Sequence, residues 1–365
     1  MTTRPRLTPA MADVRRAVRE SLARAFTDAR ARVTRDPSCG APGGWVAPAD
    51  APLVLVALSG GPDSLGLAAA LAFEAAKCGV KAGAVIVDHA LQPDSADVAE
   101  RAAAAARSLG LSPVVVERVI VTESGAGPEA DARDARYAAF ERVANQTDAR
   151  AVLLGHTLDD QAETVLLGLA RGSGARSIAG MRAMTKRGEL LVLRPLLTVP
   201  RETVAQSCVD MELDPWSDPH NSDPSFARVR VRMLVLPVLE REMGPGVAAA
   251  LARTASALSS DADALDAIAT NSLMVARRAN ALDVVTLAGL HPAVRGRVLT
   301  TWLRDSGCSE LTSVHIESVD QLVTQWSGQV GVDLPGLRVV RRGTKLDFLR
   351  LNMPTSRSST NERLD

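Results

Sequence analysis

Between residues 50 and 200, short apolar runs alternate with longer segments whose apolar residues fall at helical spacing. The apolar runs predict strands at residues 53–58 (LVLVAL), 83–91, 112–121, 149–156 and 190–197. Helices are predicted between them, at residues 64–76, 95–109, 131–145 and 159–172. This order predicts an α/β fold with a doubly wound, mainly parallel sheet and helices on both faces. Ligands of such sheets bind at the carboxyl ends of the strands.

The flanking regions give weaker signals. Residues 1–50 contain one predicted helix, near residues 11–33, and then a Pro- and Gly-rich linker. We predict that the α/β domain spans residues 51–240 and that a helical domain follows over residues 241–330, with helices at 246–278, 291–305 and 313–326. Residues 331–352 alternate like strands and predict a short β-hairpin, and residues 353–365 are expected to be disordered.

Composition limits the class of protein. The chain has 365 residues, of which 46% are hydrophobic and 23% charged, so it can form two or more ordinary globular domains. No apolar run approaches the ~18 residues that a membrane helix needs, and we expect a soluble cytoplasmic protein with no membrane partner. The cysteines are scattered, which argues against a zinc ribbon or a disulfide framework; they are Cys39, Cys78, Cys208 and Cys308. The oligomeric state is left open, a homodimer included.

A glycine-rich turn, SGGPDS, follows the first predicted strand directly. Its residues are Ser59, Gly60, Gly61, Pro62, Asp63 and Ser64. A turn that enters a helix through two glycines brings backbone N–H groups close to an anion, and phosphate suits such a site. Asp63 would repel a phosphate unless a divalent cation lies between them, so Asp63 is a candidate Mg²⁺ ligand. The alternative is that Asp63 only caps the helix and the glycines only turn the chain.

The turn lacks the lysine of a Walker A loop and the spacing of the dinucleotide fingerprint. It resembles instead the S-G-G-x-D-S pyrophosphate-binding loop of the N-type ATP pyrophosphatases, the PP-loop superfamily. That resemblance implies an adenine-nucleotide α-hydrolase-like fold. It also implies cleavage of ATP to AMP and pyrophosphate, with adenylation of an oxygen atom of the substrate.

A second polar cluster, GHTLDDQAET, lies where the fourth predicted strand ends and a helix begins. Asp160, Glu163 and Thr164 are three and four residues apart, so they project from one helix face, with Asp159 and His156 at its entrance. Carboxylates at this edge of a sheet could hold Mg²⁺ or bind an ammonium group. The alternative is a solvated helix start, where acidic residues favour the positive end of the helix dipole.

Further motifs sharpen the resemblance to the tRNA(Ile)-lysidine synthetase family. They are VDHALQPDS (87–95), ADARDARYAAF (130–140), GHTLDDQAETVLLGLARGSGARSIAGM (155–181), LRPLL (193–197) and DPHNSDPSFARVRVRMLVLPVLE (218–240). The family implies a reaction on tRNA(Ile) with a CAU anticodon. ATP adenylates C2 of the wobble cytidine, and the ε-amine of L-lysine then expels AMP, so that specificity changes from methionine to isoleucine.

The resemblance also implies site residues. The candidate catalytic residues are Asp63, Asp159, Asp160, Glu163 and Arg136, and Mg²⁺ ligands are expected at Asp63 and Asp160. Residues 59–64, His89 and His156 are candidates for ATP binding. The roles of the acidic residues toward metal, lysine and cytidine stay undivided. A surface ion pair is the alternative for Arg136, and a core position is the alternative for Tyr137.

Basic residues are concentrated locally although the net charge is zero. Residues 171–201 contain seven basic residues and one acidic residue. Such a concentration of positive charge suits binding to the phosphates of an anticodon stem. In FARVRVR the arginines alternate, so they would share one face of an extended segment. The predicted RNA-binding residues are Arg171, Arg176, Arg194, Arg201, Arg228, Arg230 and Arg232. A solvated basic surface is the alternative for both stretches.

The chain departs from the family pattern at three positions. Gly155 replaces the first histidine of a His-His pair, Val229 replaces an asparagine, and Gln92 stands where many members have arginine. Three other functions fit the residues less well. A sulfur-inserting tRNA enzyme would need paired cysteines, a non-catalytic nucleotide-binding module could lose its carboxylates, and a glutamine-dependent ligase would need a further domain.

Overall fold

The computed structural model describes residues 7–38, 44–90, 94–122, 127–172, 174–216, 223–308 and 310–350, without the side chains of residues 128 and 129. The chain divides into two units, Met1–Ser259 and Ser260–Asp365. Several sequence-based predictions fall outside the described residues: part of the linker, Gln92, residues 218–222 and the tail 353–365. Among the described residues, no helix has the length and apolarity needed to cross a membrane.

The first unit contains the predicted alternation of strands and helices. In chain order its elements are α1 (Pro9–Ala25), β1 (Thr34–Arg35), β2 (Trp45–Val46), β3 (Leu53–Ala57), α2 (Pro62–Glu74), β4 (Lys81–Asp88), α3 (Ser95–Ser108), β5 (Val114–Arg118), α4 (Pro128–Thr147), β6 (Ala149–Leu153), α5 (Leu158–Ala170), α6 (Ala175–Ile178), β7 (Met184–Arg187), β8 (Leu190–Leu193), α7 (Arg201–Asp210), α8 (Ala227–Arg230) and α9 (Leu236–Met243). Short 3₁₀ turns lie at Ala29–Arg32 and Ala76–Cys78, and a π-helical turn at Val231–Val235 joins α8 to α9. Helix α10 (Val247–Ala276) runs on into the second unit.

The central sheet has six strands in the order β5-β4-β3-β6-β8-β7. All neighbours pair in parallel except β7, which runs antiparallel to β8. Alternate residues of β3 enter different cores: Val54 and Val56 pack with α1, α2, α3 and α7, and Leu55 packs with α4. Helices therefore cover both faces, which confirms the predicted doubly wound, mainly parallel sheet.

The second unit has its own core and contains more strand than the sequence predicts. Its elements after α10 are β9 (Arg277–Arg278), β10 (Ala281–Asp283), α11 (Val284–Ala288), α12 (Pro292–Asp305), α13 (Ser313–Thr324), β11 (Val332–Leu334), β12 (Leu337–Arg342) and β13 (Lys345–Arg350). The predicted hairpin, β12 and β13, belongs to a five-stranded sheet ordered β11-β12-β13-β10-β9. It shares one core with the helices, centred on Trp302 and Leu282. Strands of two or three residues leave no periodic signal, which explains why β9 and β10 were not predicted.

The extended conformation predicted for FARVRVR is wrong, because the segment is helical in α8 and the π turn. Alternation over so few residues does not separate a strand from a helix, and burial of Val229 favours the helix. In a helix, residues four apart share a face. Arg228 and Arg232 therefore lie together, and Arg230 lies on another side.

Candidate active site

The SGGPDS turn links the carboxyl end of β3 to helix α2. Gly60 has φ +85°, which favours glycine, and Gly61 is the N-cap of α2. The Ser64 hydroxyl donates to the Gly61 carbonyl (3.0 Å) and accepts from the Ser59 N–H (3.2 Å). Trp216 also donates its N–H to the Gly60 carbonyl at 3.0 Å. The turn is therefore held in shape by its own hydroxyl groups, and the first turn of α2 faces the edge where ligands of parallel sheets bind.

Asp63 has a carboxylate oxygen that no described residue satisfies. Oδ1 is buried without a hydrogen bond, and Oδ2 lies 3.5 Å from Nε of Arg201. Burial raises the pKa of Asp63 to about 6, although the Arg201 charge opposes this shift. A buried oxygen with no partner costs free energy, so this atom suits a cation or a donor that arrives with the substrate.

The start of α5 is fixed by two of its acidic residues. Thr157 is the N-cap, and its N–H and hydroxyl both donate to Oδ2 of Asp160, at 2.8 and 2.9 Å. Oδ2 of Asp159 accepts the backbone N–H of Arg201, the first residue of α7, at 2.7 Å. Two of the predicted catalytic acids, Asp159 and Asp160, therefore also stabilise the starts of α7 and α5. The T-x-x-D spacing would have identified Thr157, which the sequence analysis missed.

Arginines neutralise the acidic cluster from two directions. Glu163 is 0% exposed, and its Oε1 lies 2.7 Å from Nε of Arg232 and 3.3 Å from Nη1 of Arg201. Oδ1 of Asp160 lies 2.8 Å from Nη2 of Arg201 and 3.3 Å from Nη2 of Arg232. Arg228 is more distant, with its Nε 3.9 Å from Oε2 of Glu163. Burial pushes the pKa of Asp160 upward, but Arg201 and the Thr157 donors outweigh it and hold the pKa below its ordinary value.

Three of the arginines predicted to bind RNA face Glu163 in the structure. They are Arg201, Arg228 and Arg232. Arg194, which was also predicted to bind RNA, is 5% exposed and donates to the Tyr137 hydroxyl (2.9 Å) and to the Arg182 carbonyl (3.0 Å). These buried contacts give its guanidinium a structural role in the core.

The remaining predicted arginines are exposed. Arg171 follows the last residue of α5, and Arg176 lies in α6. Arg230 donates to the carbonyls of Pro224 (2.7 Å) and Ser225 (2.6 Å) and so ties down the chain before α8. All three side chains are accessible to a polyanion, and Arg230 has a local structural role as well.

Two histidines and Arg136 complete the predicted set. His156 has a buried Nδ1 without a partner, and burial lowers its pKa to about 4 despite the nearby Asp160 charge, so its imidazole is neutral at pH 7. Arg136 on α4 donates its Nε to Nε2 of His89 at 3.4 Å. Burial and the Arg136 charge lower the pKa of His89. His89 and His156 follow β4 and β6, so they flank the SGGPDS turn at the same sheet edge.

Gly155 is explained by close packing. A Cβ atom there would lie 3.1 Å from the carbonyl carbon and oxygen of Asp63. A histidine at this position, as the family pattern predicts, would require the SGGPDS turn to shift by a few tenths of an ångström. Glycine at position 155 therefore allows the backbone of Asp63 to approach this closely.

The acidic residues do not form a metal cage made of protein alone. Among the described residues no three His, Cys, Asp or Glu side chains are placed to share a metal ion. Mg²⁺ in nucleotide sites is held by one or two carboxylates together with phosphate oxygens and water. Asp63 fits that pattern, whereas both oxygens of Asp160 already have donors.

Comparisons with known proteins agree with this geometry. A PP-loop domain model matches residues 43–239, and a TilS substrate binding domain model matches residues 282–346. A tRNA(Ile)-lysidine synthase from Thermobifida fusca is 56% identical over 294 residues, which cover 80% of this chain and 89% of that protein. The chain belongs to the tRNA(Ile)-lysidine synthase family. A second lysidine synthase, from Leifsonia xyli, is 52% identical over 301 residues and covers 81% of this chain and 89% of that protein.

Solved structures support the fold of this lysidine synthase family member. The U34-tRNA thiolase NcsA from Methanococcus maripaludis, with its [4Fe-4S] cluster, superposes with a TM-score of 0.52 at 19% identity. The match covers 68% of this chain and 78% of the thiolase. The likeness concerns the fold alone.

Proposed function

We propose that this protein joins L-lysine to C2 of the wobble cytidine in tRNA(Ile) with a CAU anticodon, and that it cleaves ATP to AMP and pyrophosphate. One observation carries the proposal. The SGGPDS turn places the unsatisfied Oδ1 of Asp63 beside an acidic pair, Asp160 and Glu163, that already binds nitrogen cations. A site for a nucleotide and a site for an amine therefore adjoin, as an adenylating ligase requires.

In the first step the C2 carbonyl oxygen of the cytidine attacks the α-phosphorus of ATP, and pyrophosphate leaves. The backbone N–H groups of the turn and the start of α2 bind the phosphates. Asp63 would hold Mg²⁺, which would neutralise charge on the departing pyrophosphate. Neutral His156 and the His89–Arg136 pair lie at the same edge, where they can donate to the nucleotide or to the base.

In the second step the lysine ε-amine attacks C2. The C2–N bond forms, the bond from C2 to the adenylated oxygen breaks, and AMP leaves. The amine must be neutral to attack, so its proton passes to a base. Asp160 and Glu163 are suited to bind the ammonium form and to orient it, because their oxygens already accept N–H donors from arginine.

The RNA partner would contact the exposed arginines Arg171 and Arg176 near the end of α5. Phosphate contacts of this kind position a polyanion without reading its sequence. The second unit, which contains the matched TilS substrate binding domain, is the candidate for further tRNA contacts.

Lysine incorporation tests the proposal directly. The protein is incubated with ATP, Mg²⁺ and radiolabelled lysine, together with either tRNA(Ile) (CAU) or elongator methionine tRNA. We expect label on the isoleucine tRNA alone and a loss of at least about 100-fold in kcat for Asp63→Asn, because the departing pyrophosphate loses its stabilisation. The control is Asp148→Asn, the same change at the opposite, amino end of the sheet, where Asp148 pairs with Arg150 at 3.6 Å. ATP-dependent pyrophosphate release without lysine transfer would reject the lysidine assignment and retain the adenylating step.

A further inference from the structure

The acidic pair proposed to bind the substrate amine is already occupied by Arg232. Its Nε lies 2.7 Å from Oε1 of Glu163, and its Nη2 lies 3.1 Å from Oε2 of Glu163 and 3.3 Å from Oδ1 of Asp160. A single guanidinium thus contacts both acids. Lysine presents the same kind of group, a nitrogen cation at the end of an aliphatic chain, so it would compete for the same oxygens.

Glu163 cannot remain without a cation. Its side chain has no exposed surface, and a buried carboxylate without a partner is strongly destabilising. Mg²⁺ is poorly suited to this position, since it keeps several waters and Glu163 has no contact with solvent. A nitrogen cation is therefore the charge suited to replace Arg232 here, while Arg201 and Arg228 continue to face Glu163.

The two arginines that contact both acids differ in how firmly they are held. Arg201 begins α7, its own N–H is bound by Asp159 at 2.7 Å, and its side chain also reaches Asp63. Arg232 lies in the π turn, where no residue is buried, and among the described residues its side chain hydrogen-bonds to Asp160 and Glu163. π turns are frequent at functional sites. Arg232 is thus the arginine that can leave.

We propose that Arg232 is a specificity-determining residue whose guanidinium holds the place of the substrate's ammonium group between Asp160 and Glu163 and is displaced when lysine binds. The proposal rests on the proposed function, in which lysine is the amine. The further point is that Arg232 competes with lysine for the oxygens of Asp160 and Glu163, and this competition lowers the affinity of the enzyme for lysine. Only a cation that contacts both acids can displace Arg232, so neutral amino acids are rejected.

Removal of this competitor should increase lysine affinity. In Arg232→Gln the side chain can still donate to Glu163 but carries no charge, and Arg201 and Arg228 still face the buried acid. We expect the KM for lysine to fall about fivefold, the effect of losing a partly exposed ion pair. Equilibrium dialysis with radiolabelled lysine should show the same change in Kd. In Arg232→Lys the charge remains, and both constants should stay near the wild-type values.

Two further variants complete the design. Arg241→Gln removes an exposed arginine of α9 that pairs with Glu242 at 2.7 Å, and it should leave the lysine constants unchanged. If Arg232→Gln lacks a cooperative thermal transition, Arg232→Met replaces it, because methionine keeps the length of the side chain without its charge. A purely structural role for Arg232 predicts weaker lysine binding, the opposite sign.

Failure of the inference and failure of the proposed function are separable. If the wild-type protein transfers lysine to tRNA but a folded, neutral Arg232 variant has an unchanged or raised lysine KM, the placeholder role is overturned and the ligase remains. If the wild-type protein transfers no lysine, the proposed function itself fails. A fall in lysine KM only in the neutral variants supports the inference.

Discussion

At the scale of single residues, the buried carboxylate of Asp63 destabilises the folded protein when it is ionised. Burial raises its pKa from the ordinary 3.8 to about 6, so the folded protein binds this proton more tightly than the unfolded chain does. The stability contributed by this group therefore falls as the pH rises from about 4 to about 6, and it stays low at higher pH.

Asp63→Asn should relieve this cost. With metal removed by EDTA, we expect the free energy of unfolding at pH 7 to rise by about 1–3 kcal/mol, and the gain to vanish near pH 4, where the wild-type carboxyl is protonated. Urea unfolding at both pH values measures the difference. An equal gain at pH 4 and pH 7 would contradict an electrostatic origin.

The guanidinium of Arg194 stabilises the core through buried hydrogen bonds. Its hydrogen bonds to Tyr137 and to the Arg182 carbonyl lie inside the protein. We expect Arg194→Met to lower the free energy of unfolding by about 2–4 kcal/mol, because these buried partners lose their donor. The Kd for tRNA, measured where the variant is folded, should not change. A weaker tRNA complex without a loss of stability would restore the RNA-binding role predicted from the sequence.

At the scale of elements, α1 supports the helices that carry the site. Its apolar side chains Val14, Val18 and Leu22 are fully buried in the same core as α2 and α7. This helix precedes residues 43–239, which match the PP-loop domain model, and it shares the core of that domain.

Truncation in α1 should therefore destabilise the catalytic unit. For Leu22→Ala we expect a loss of about 2–5 kcal/mol, the usual cost of a cavity at a buried leucine. The control is Val209→Ala in α7, whose side chain is 67% exposed and should change stability little. Both effects are measured by thermal and urea unfolding. Equal stabilities for the two variants would show that α1 is not part of the core.

At the scale of the whole molecule, a net charge of zero coexists with a proposed polyanionic partner. Arg171 and Arg176 near the end of α5 are exposed, whereas Arg201 pairs with Glu163 and Arg194 is hydrogen-bonded in the core. A protein that contacts phosphates through few arginines should show a shallow but measurable salt dependence.

The double variant Arg171→Ala/Arg176→Ala tests this distribution of charge. We expect weaker tRNA binding at low salt and a slope of log Kd against log salt that is reduced by about 1.5, the effect of two lost phosphate contacts. The control is Arg107→Ala, an exposed arginine that pairs with Glu100 at 2.7 Å. An unchanged slope would place the RNA contacts elsewhere.

Several features of the fold and of the candidate site follow from residues that are neighbours in the sequence. Apolar runs with intervening helices predicted the parallel sheet, and a strand followed by SGGPDS predicted a turn into a helix with Asp63 in its first turn. The spacing of Asp160 and Glu163 predicted one acidic face on α5. These features are local, because strand, turn and helix signals extend over a few residues and the sheet then brings their carboxyl ends to one edge.

The tertiary structure alone decided which charges meet. In the sequence, Arg201, Arg228 and Arg232 indicate only a concentration of basic charge. In the structure the helical conformation of residues 227–235 directs Arg228 and Arg232 toward Glu163, and Asp159 accepts the backbone N–H of Arg201. Arg194 was enclosed by residues far away in the chain, and the predicted hairpin joined strands too short to predict. Ion pairing and burial depend on distance in space. The residues that flank an arginine in the sequence therefore do not indicate which carboxylate it will pair with.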